Sequence, residues 1–308
     1  MRLLLYIPSK TADEWQAAFA RALPAAEIRR WEAGLDWQAD YAAFWYPPRE
    51  LLDGLKRLKA AFNLGAGVDG TLKALTPPPG VPLVRLEDAG MGRQMDEYVG
   101  WAVMRYFRRL DEYAAQQARS EWTVHRPRKH ADFAVGVMGL GVLGARVARA
   151  ILPLGFPVRG WSGSAKAMAD VATFAGAAEL PAFLSGTQAL VCMLPLSPDT
   201  KGLLNRTTLG QLPRGAYVIN VARGGLVVDD DLLALLDERH LAGVTLDVFH
   251  EEPLPASHRF WSHPKVFVTP HCSALTLIED SVAQVAGKIQ RLERGEPVTG
   301  VVDPTRGY

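Results

Sequence analysis

The sequence predicts an α/β protein built as two Rossmann-like, doubly wound parallel-sheet domains with a cleft between them. Three observations point there. Apolar strand-like runs alternate with amphipathic helix-like runs along all 308 residues, a length that suits two domains with separate cores. A second α/β series begins at Phe133, after a basic connection. Five apolar runs of that series end at Gly139, Leu194–Pro195, Arg223, Asp247–Phe249 and His271, and in an open parallel sheet ligands bind outside the carboxyl ends of the strands.

The first hundred residues read as strand RLLLYIP, helix ADEWQAAFARAL, strand YAAFWYP, helix RELLDGLKRL and strand LKAAFNLG. TPPPGVP (Thr76–Pro82) is a rigid connection. QMDEYVGWAVMRYFRRLDEYAAQQA reads as one long helix with aromatics on one face, suited to spanning domains or to a dimer contact. The basic run VHRPRKH (Val124–His130) reads as a solvated linker, and SALTLIEDSVAQVAGKIQRLERG as a last helix.

Composition excludes several classes. A net charge of +1 gives no basic excess for a nucleic acid to meet. No apolar run approaches the ~20 residues that cross a bilayer, so no membrane partner is expected and the location expected is cytoplasmic. Two cysteines, Cys192 and Cys272, make no disulfide framework and no zinc spacing; both read as buried, inert thiols, and no metal is expected.

GLGVLG, with Gly139, Gly141 and Gly144, follows a strand pattern and opens the helix pattern GARVARAIL. That context is what a dinucleotide fingerprint needs: a tight turn, close backbone approach to pyrophosphate at Gly141, Val142 and Leu143, and a helix N-terminus facing the phosphates. An NAD site expects an acid about 20 residues on, to bind the ribose hydroxyls. None occurs between Gly144 and Asp170; Trp161, Ser162, Ser164 and Lys166 stand there instead. Hydroxyls and an ammonium suit a 2′-phosphate, so NADP(H) is favoured, with NAD(H) possible. The usual arginine is missing at Gly163.

NLGAGVDG, GLGVLG, CMLPLSPDTKGLLN, INVARGGLVVDDDLLALL, LDVFHEEPLP and TPHCSA, in this order, resemble the D-isomer-specific 2-hydroxyacid dehydrogenases over nearly the whole chain. The acid-free second strand and Trp45 in FWYPP look most like the glyoxylate/hydroxypyruvate reductase A branch of that family. The resemblance implies an arginine, a glutamate and a histidine as catalytic residues, matched here by Arg223 in VARGG, Glu252 before PLP, and His271 closing VTPH. It adds Leu194, Pro195, Thr200, Val221, Ala222, Asp247 and Ser273 as cofactor contacts. It also implies that the last helix returns to the first domain, giving a substrate domain of residues 1–98 plus 278–308 and a dinucleotide-binding domain of residues 99–277. A homodimer is the expected assembly.

The chemistry needs those residue types. Arginine's rigid fork can hold the carboxylate and carbonyl of a 2-oxo acid together. Hydride arriving at the carbonyl carbon leaves charge on oxygen, and a histidine can protonate it. Glu252, bonded to His271, would orient the ring and favour its protonated form. His250 and Glu251 read as bystanders, since neighbouring extended residues point to opposite sides; Cys272 beside His271 is rejected as a nucleophile on the same geometry. Each residue also has a plainer reading: Arg223 pairing with Asp229 or Asp230, His271 as an ordinary bonded histidine, Glu252 as a surface charge.

In the first domain the glycines of NLGAGVD let backbone N–H groups converge on an anion. By resemblance, amides at Leu64, Gly65 and Ala66 would hold the substrate carboxylate. Trp45 would either wall the pocket against large substrates or belong to the core. The reaction expected is NADPH-dependent reduction of glyoxylate or hydroxypyruvate; the alternatives are a family member acting on a bulkier 2-oxo acid, or a dinucleotide-sensing binding protein.

Overall fold

The structure, a computed structural model, describes residues 1–303. In chain order the elements are β1 (Arg2–Tyr6), α1 (Ala12–Ala22), β2 (Glu27–Arg30), β3 (Tyr41–Phe44), β4 (Ala60–Asn63), α2 (Asp69–Ala74), β5 (Leu83–Arg85), α3 (Met91–Phe107), α4 (Leu110–Ala118), β6 (Val135–Met138), α5 (Val142–Ile151), β7 (Val158–Ser162), β8 (Val171–Ala175), α6 (Gly176–Ser185), β9 (Ala189–Cys192), α7 (Arg206–Leu209), β10 (Ala216–Asn220), α8 (Asp229–Asp237), β11 (Leu241–Leu246), β12 (Val266–Val268) and α9 (Ile278–Glu293). They form two compact units. Unit 1 is Met1–Met91 with the described residues from Thr276 onward, and unit 2 is Gly92–Leu275.

Unit 1 is a five-stranded parallel sheet of order β2-β1-β3-β4-β5. Its inner strands β3 and β4 are buried along their whole length, as continuous small and apolar runs such as YAAF permit. Helix α9 packs on α1, with Arg21 bonded to Glu279 at 2.6 Å. Unit 2 is a seven-stranded parallel sheet of order β12-β11-β10-β9-β6-β7-β8. Strand order reverses between β6 and β9, which sets the switch point beside Gly139. Alternate residues of its strands face different layers. Val135, Val137 and Val191 pack with Val99 and Val103 of α3 and Val147 of α5, while Leu190 and Val218 pack with Phe183 of α6 and Leu232 of α8.

The α/β class and the parallel sheets follow the sequence reading; several elements do not. RELLDGLKRL forms successive turns rather than a helix: Gly54 takes φ +72°, and Leu51, Asp53 and Leu55 donate to carbonyls three residues back. The long helix is two, because Arg109 at φ +57° ends α3, and Asp111 and Glu112 then open α4, where acidic side chains favour a helix N-terminus. The strands β2 and β8 add an edge to each sheet beyond that reading; β2 is charged, which a sheet edge tolerates. Cys192 is buried, but Cys272 is exposed. Among the described residues no helix is long and apolar enough to cross a membrane.

The fingerprint glycines are not equivalent. A side chain at Gly144 would overlap the Gly139 carbonyl, whereas one at Gly141 meets no atom within 4 Å. Gly144→Ala is therefore expected to destabilise the fold by about 1–3 kcal/mol, the usual cost of overpacking, in urea unfolding. Gly141→Ala should cost less than about 1 kcal/mol, since only the helix N-cap changes. Equal losses would show that the turn does not pack as described.

Candidate active site

Three neighbouring strand ends of unit 2 present the ionisable side chains. β10 leads into Arg223, β11 into the loop carrying Glu252, and β12 into His271. The turns bearing Arg223 and His271 are each held by a buried polar side chain. Asn220, at 0% exposure, donates from Nδ2 to the Arg223 carbonyl at 2.9 Å and accepts from the Ala222 amide at 3.1 Å, so the turn after β10 is closed by one side chain. Arg223 itself is half-buried and extended, with Nη1 donating to the Ala222 carbonyl.

Glu252 and His271 meet directly. Glu252 Oε2 lies 2.6 Å from His271 Nδ1, and Oε1 accepts the Phe249 amide at 2.9 Å. With Nδ1–H given to the carboxylate, Nε2 is the nitrogen available to a substrate. Both side chains are partly exposed, which a residue that must reach a small molecule requires. His271 sits at φ +50°, a left-handed conformation uncommon for any residue but glycine, and its amide donates to the carbonyls of Asp247 and Thr269.

Asp247, expected as a cofactor contact, is sealed at 0% exposure. Its carboxylate accepts from Thr269 Oγ1 at 2.6 Å and from the amides of Cys272 and Ser273 at 2.9 Å each, so it holds the His271 turn. Ser273 is likewise buried, at 3% exposure. Burial and the neighbouring Asp247 charge push the Cys272 thiol up, away from a nucleophilic thiolate; burial pushes Cys192 up to about 12.

The nucleotide end is built around β6 and α5. Gly139, at φ +109°, lies against the end of β9, where a side chain would come within 2.7 Å of the Met193 carbonyl. Gly141 caps α5 beside open space, and Val142 is exposed while Leu143 is half-buried. These are the properties a phosphate cradle needs. Two residues expected at the ribose instead shape the turn. Trp161 is buried with Nε1 donating to the Gly176 carbonyl, and Ser162 is buried with its hydroxyl donating to the Ser164 carbonyl at 2.7 Å. Ser164 and Lys166 remain exposed. Thr200 closes the turn after β9 by donating to the Pro195 carbonyl, with Leu194 buried beneath it. Val221 is buried and Ala222 is half-buried.

His250 is more than a bystander: its Nε2 is 2.9 Å from the Val227 carbonyl and 3.5 Å from Asp229. Among the described residues no group of three His, Cys, Asp or Glu side chains is placed to hold a metal.

In unit 1, Leu64 is buried and its amide donates to Phe44, so of the three amides expected to hold a carboxylate that one belongs to the sheet. The turn beyond it is held by Asn63, whose Nδ2 donates to the carbonyls of Gly65 and Gly67. Trp45 is half-buried and packs on Gly65, where a side chain would come within 2.6 Å of the indole.

Residues 101–273 match the model of the D-isomer specific 2-hydroxyacid dehydrogenase NAD-binding domain. The chain is 47% identical to glyoxylate/hydroxypyruvate reductase A of Yersinia enterocolitica and, equally, to that of Serratia proteamaculans, with all of both chains covered. Its structure resembles a D-isomer specific 2-hydroxyacid dehydrogenase from Xanthobacter autotrophicus Py2 in complex with NADPH and MES, at a TM-score of 0.95 and 40% identity, covering 100% of this chain and 99% of that one. It also resembles an NADPH-dependent glyoxylate/hydroxypyruvate reductase from Sinorhizobium meliloti in complex with NADP and sulfate, at a TM-score of 0.91 and 37% identity, with the same coverage.

Replacing Arg223 by lysine keeps the charge and removes the fork. The expected loss in kcat/KM is on the order of 10- to 100-fold, the worth of one or two charge-assisted hydrogen bonds. Steady-state kinetics of the purified variant check this; an unchanged kcat/KM removes Arg223 from substrate binding.

Proposed function

This chain belongs to the D-isomer specific 2-hydroxyacid dehydrogenase family, and from that membership and the site above we propose that it reduces glyoxylate or hydroxypyruvate to the 2-hydroxy acid with NADPH. The observation that carries the reading is the 2.6 Å contact between Glu252 and His271 Nδ1, which leaves Nε2 to donate a proton. A sensor of bound nucleotide has no use for such a donor.

The residues around Gly139, Gly141 and Gly144 fit a dinucleotide: a helix N-terminus, open space at Gly141, and glycines packed too closely for side chains on either side of it. Nicotinamide, when bound, supplies the hydride. Arg223 holds the carboxylate and carbonyl of the 2-oxo acid in one plane. As charge grows on the carbonyl oxygen, His271 Nε2–H gives it a proton, and Glu252 keeps the ring aligned and compensates the imidazolium beforehand. Ser164 and Lys166 are assigned to the 2′-phosphate, because no carboxylate of the turn opposes it. In unit 1 the Gly65 and Ala66 amides are assigned to the substrate carboxylate, and Trp45 to restricting substrate size.

Reduction of a panel of 2-oxo acids, followed by loss of reduced-nicotinamide absorbance, tests the reading. Glyoxylate and hydroxypyruvate should be favoured, and kcat/KM should be higher with NADPH than with NADH. His271→Asn should lower kcat by about 10²–10⁴-fold, the range for general acid catalysis, with NADPH binding retained. No turnover with any 2-oxo acid would favour a sensor, and a preference for NADH would refute the phosphate assignment.

We assign the assembly as a homodimer. Trp122, at 96% exposure, and Val124, at 81%, lie in the segment after α4, and apolar side chains this exposed suit burial by a second copy. Light scattering should give twice the chain mass, and Trp122→Ser should shift it toward the monomer. A monomeric wild type would end this assignment.

A further inference from the structure

Helix α3 touches the catalytic turn at both of its ends, through side chains one helical turn apart. The Tyr98 phenol is hydrogen-bonded to Thr269 Oγ1, at the start of the segment that carries His271. Gln94 donates from Nε2 to the Leu275 carbonyl at 2.9 Å and accepts the Leu275 amide at 3.1 Å, at the end of that segment. Residues four apart share one face of a helix, so α3 presents both groups to the same stretch of chain.

The direction of the bonds is fixed by counting protons. Thr269 has one hydroxyl proton and sits 2.6 Å from Asp247 Oδ1, an acceptor. That proton is therefore donated to Asp247, and the Tyr98 phenol donates in turn to Thr269. Burial pushes the Tyr98 phenol up, so it stays a donor. Asp247 then carries the chain onward, through the amides of Cys272 and Ser273 to its carboxylate and through the His271 amide to its own carbonyl. Hydrogen bonds in such a series polarise one another, and a backbone held at φ +50° needs several of them to persist.

We propose that Tyr98 and Thr269 are positioning residues for proton transfer, acting through Asp247 to hold the left-handed turn that aims His271 at the substrate. Neither touches the reacting atoms. The inference rests on the reading of His271 as the proton donor and adds to it the residues that fix its aim.

Thr269→Val and Thr269→Ser separate the hydroxyl from the shape, and Tyr98→Phe tests the first bond with little change in packing. With glyoxylate and NADPH, Thr269→Val is expected to lose on the order of 10- to 100-fold in kcat, as misaligned catalytic groups do, while KM and the NADPH Kd stay within about threefold. Thr269→Ser should restore most of kcat. Tyr98→Phe should lose less than Thr269→Val, and the double variant should be no slower than Thr269→Val alone, because Tyr98 acts through that hydroxyl. Wild-type kcat in Thr269→Val, a serine variant as slow as the valine one, or additive losses in the double variant would overturn the proposal. The Nδ1–H resonance of His271 provides a readout independent of turnover: it should shift or broaden in Thr269→Val and return in Thr269→Ser. An inactive wild type in which that resonance follows the hydroxyl refutes the functional reading alone; a resonance that ignores the hydroxyl refutes the positioning role.

Discussion

The buried carboxylate of Asp247 is the constraint on which the exposed chemistry depends. It stands at the end of β11 with no access to solvent and takes three donors from the segment that follows β12. Asn220 does the same for the Arg223 turn at the end of β10. The two residue types are not interchangeable. Around Asn220 one partner is a carbonyl and the other an amide N–H, so a side chain that both donates and accepts is required. Around Asp247 every partner is a donor, so an amide there would set its own N–H groups against the chain.

The exposed contacts alone would not produce this arrangement. An ion pair as accessible as Glu252 and His271 contributes only about 0–1 kcal/mol, whereas a residue held in the left-handed region costs roughly 1–3 kcal/mol. The pair therefore cannot be what keeps His271 in its conformation. Buried hydrogen bonds, each strengthened by exclusion of water, are the larger effect. The division of labour follows: the interior fixes the backbone, and the surface pair fixes only the ring's rotation.

The parts of this arrangement that repeat along the chain were readable in the sequence. Apolar runs ending at Gly139, Arg223 and His271 mark the strand ends, and the glycine spacing marks the turn after β6, because both are local patterns with one dominant physical cause. What depends on a partner far away in sequence was not readable. RELLDGLKRL has helical periodicity, yet Gly54 and the burial of Leu51, Leu52 and Leu58 favour a turn. Trp161 and Ser162 occupy the right turn for the ribose but spend their polar atoms within it. Asn220 and Thr269 carry a fainter signal: a lone polar residue closing a strand such as AYVIN implies buried partners, because burying it without them is costly. Tyr98 gave no signal, since its partner lies 171 residues on.

His250 shows where alternation along an extended segment misleads. Alternation separates only adjacent residues such as Glu251 and Glu252, leaving His250 on the same side as Glu252, and the loop is not surrounded by solvent. Gly224, next to Arg223, lies so close to the Phe249–His250 peptide that any side chain there would overlap it. His250 Nε2 then bonds the Val227 carbonyl, and His258, whose Nδ1 accepts the Phe260 amide, turns its Nε2–H toward Asp229 at 3.4 Å. Burial pushes the Asp229 carboxyl up, against the pull of both histidines. These contacts join the turn bearing Arg223 to the loop bearing Glu252. The group that holds the substrate and the group that orients the proton donor therefore belong to one packed body, and a shift in one loop must carry the other with it.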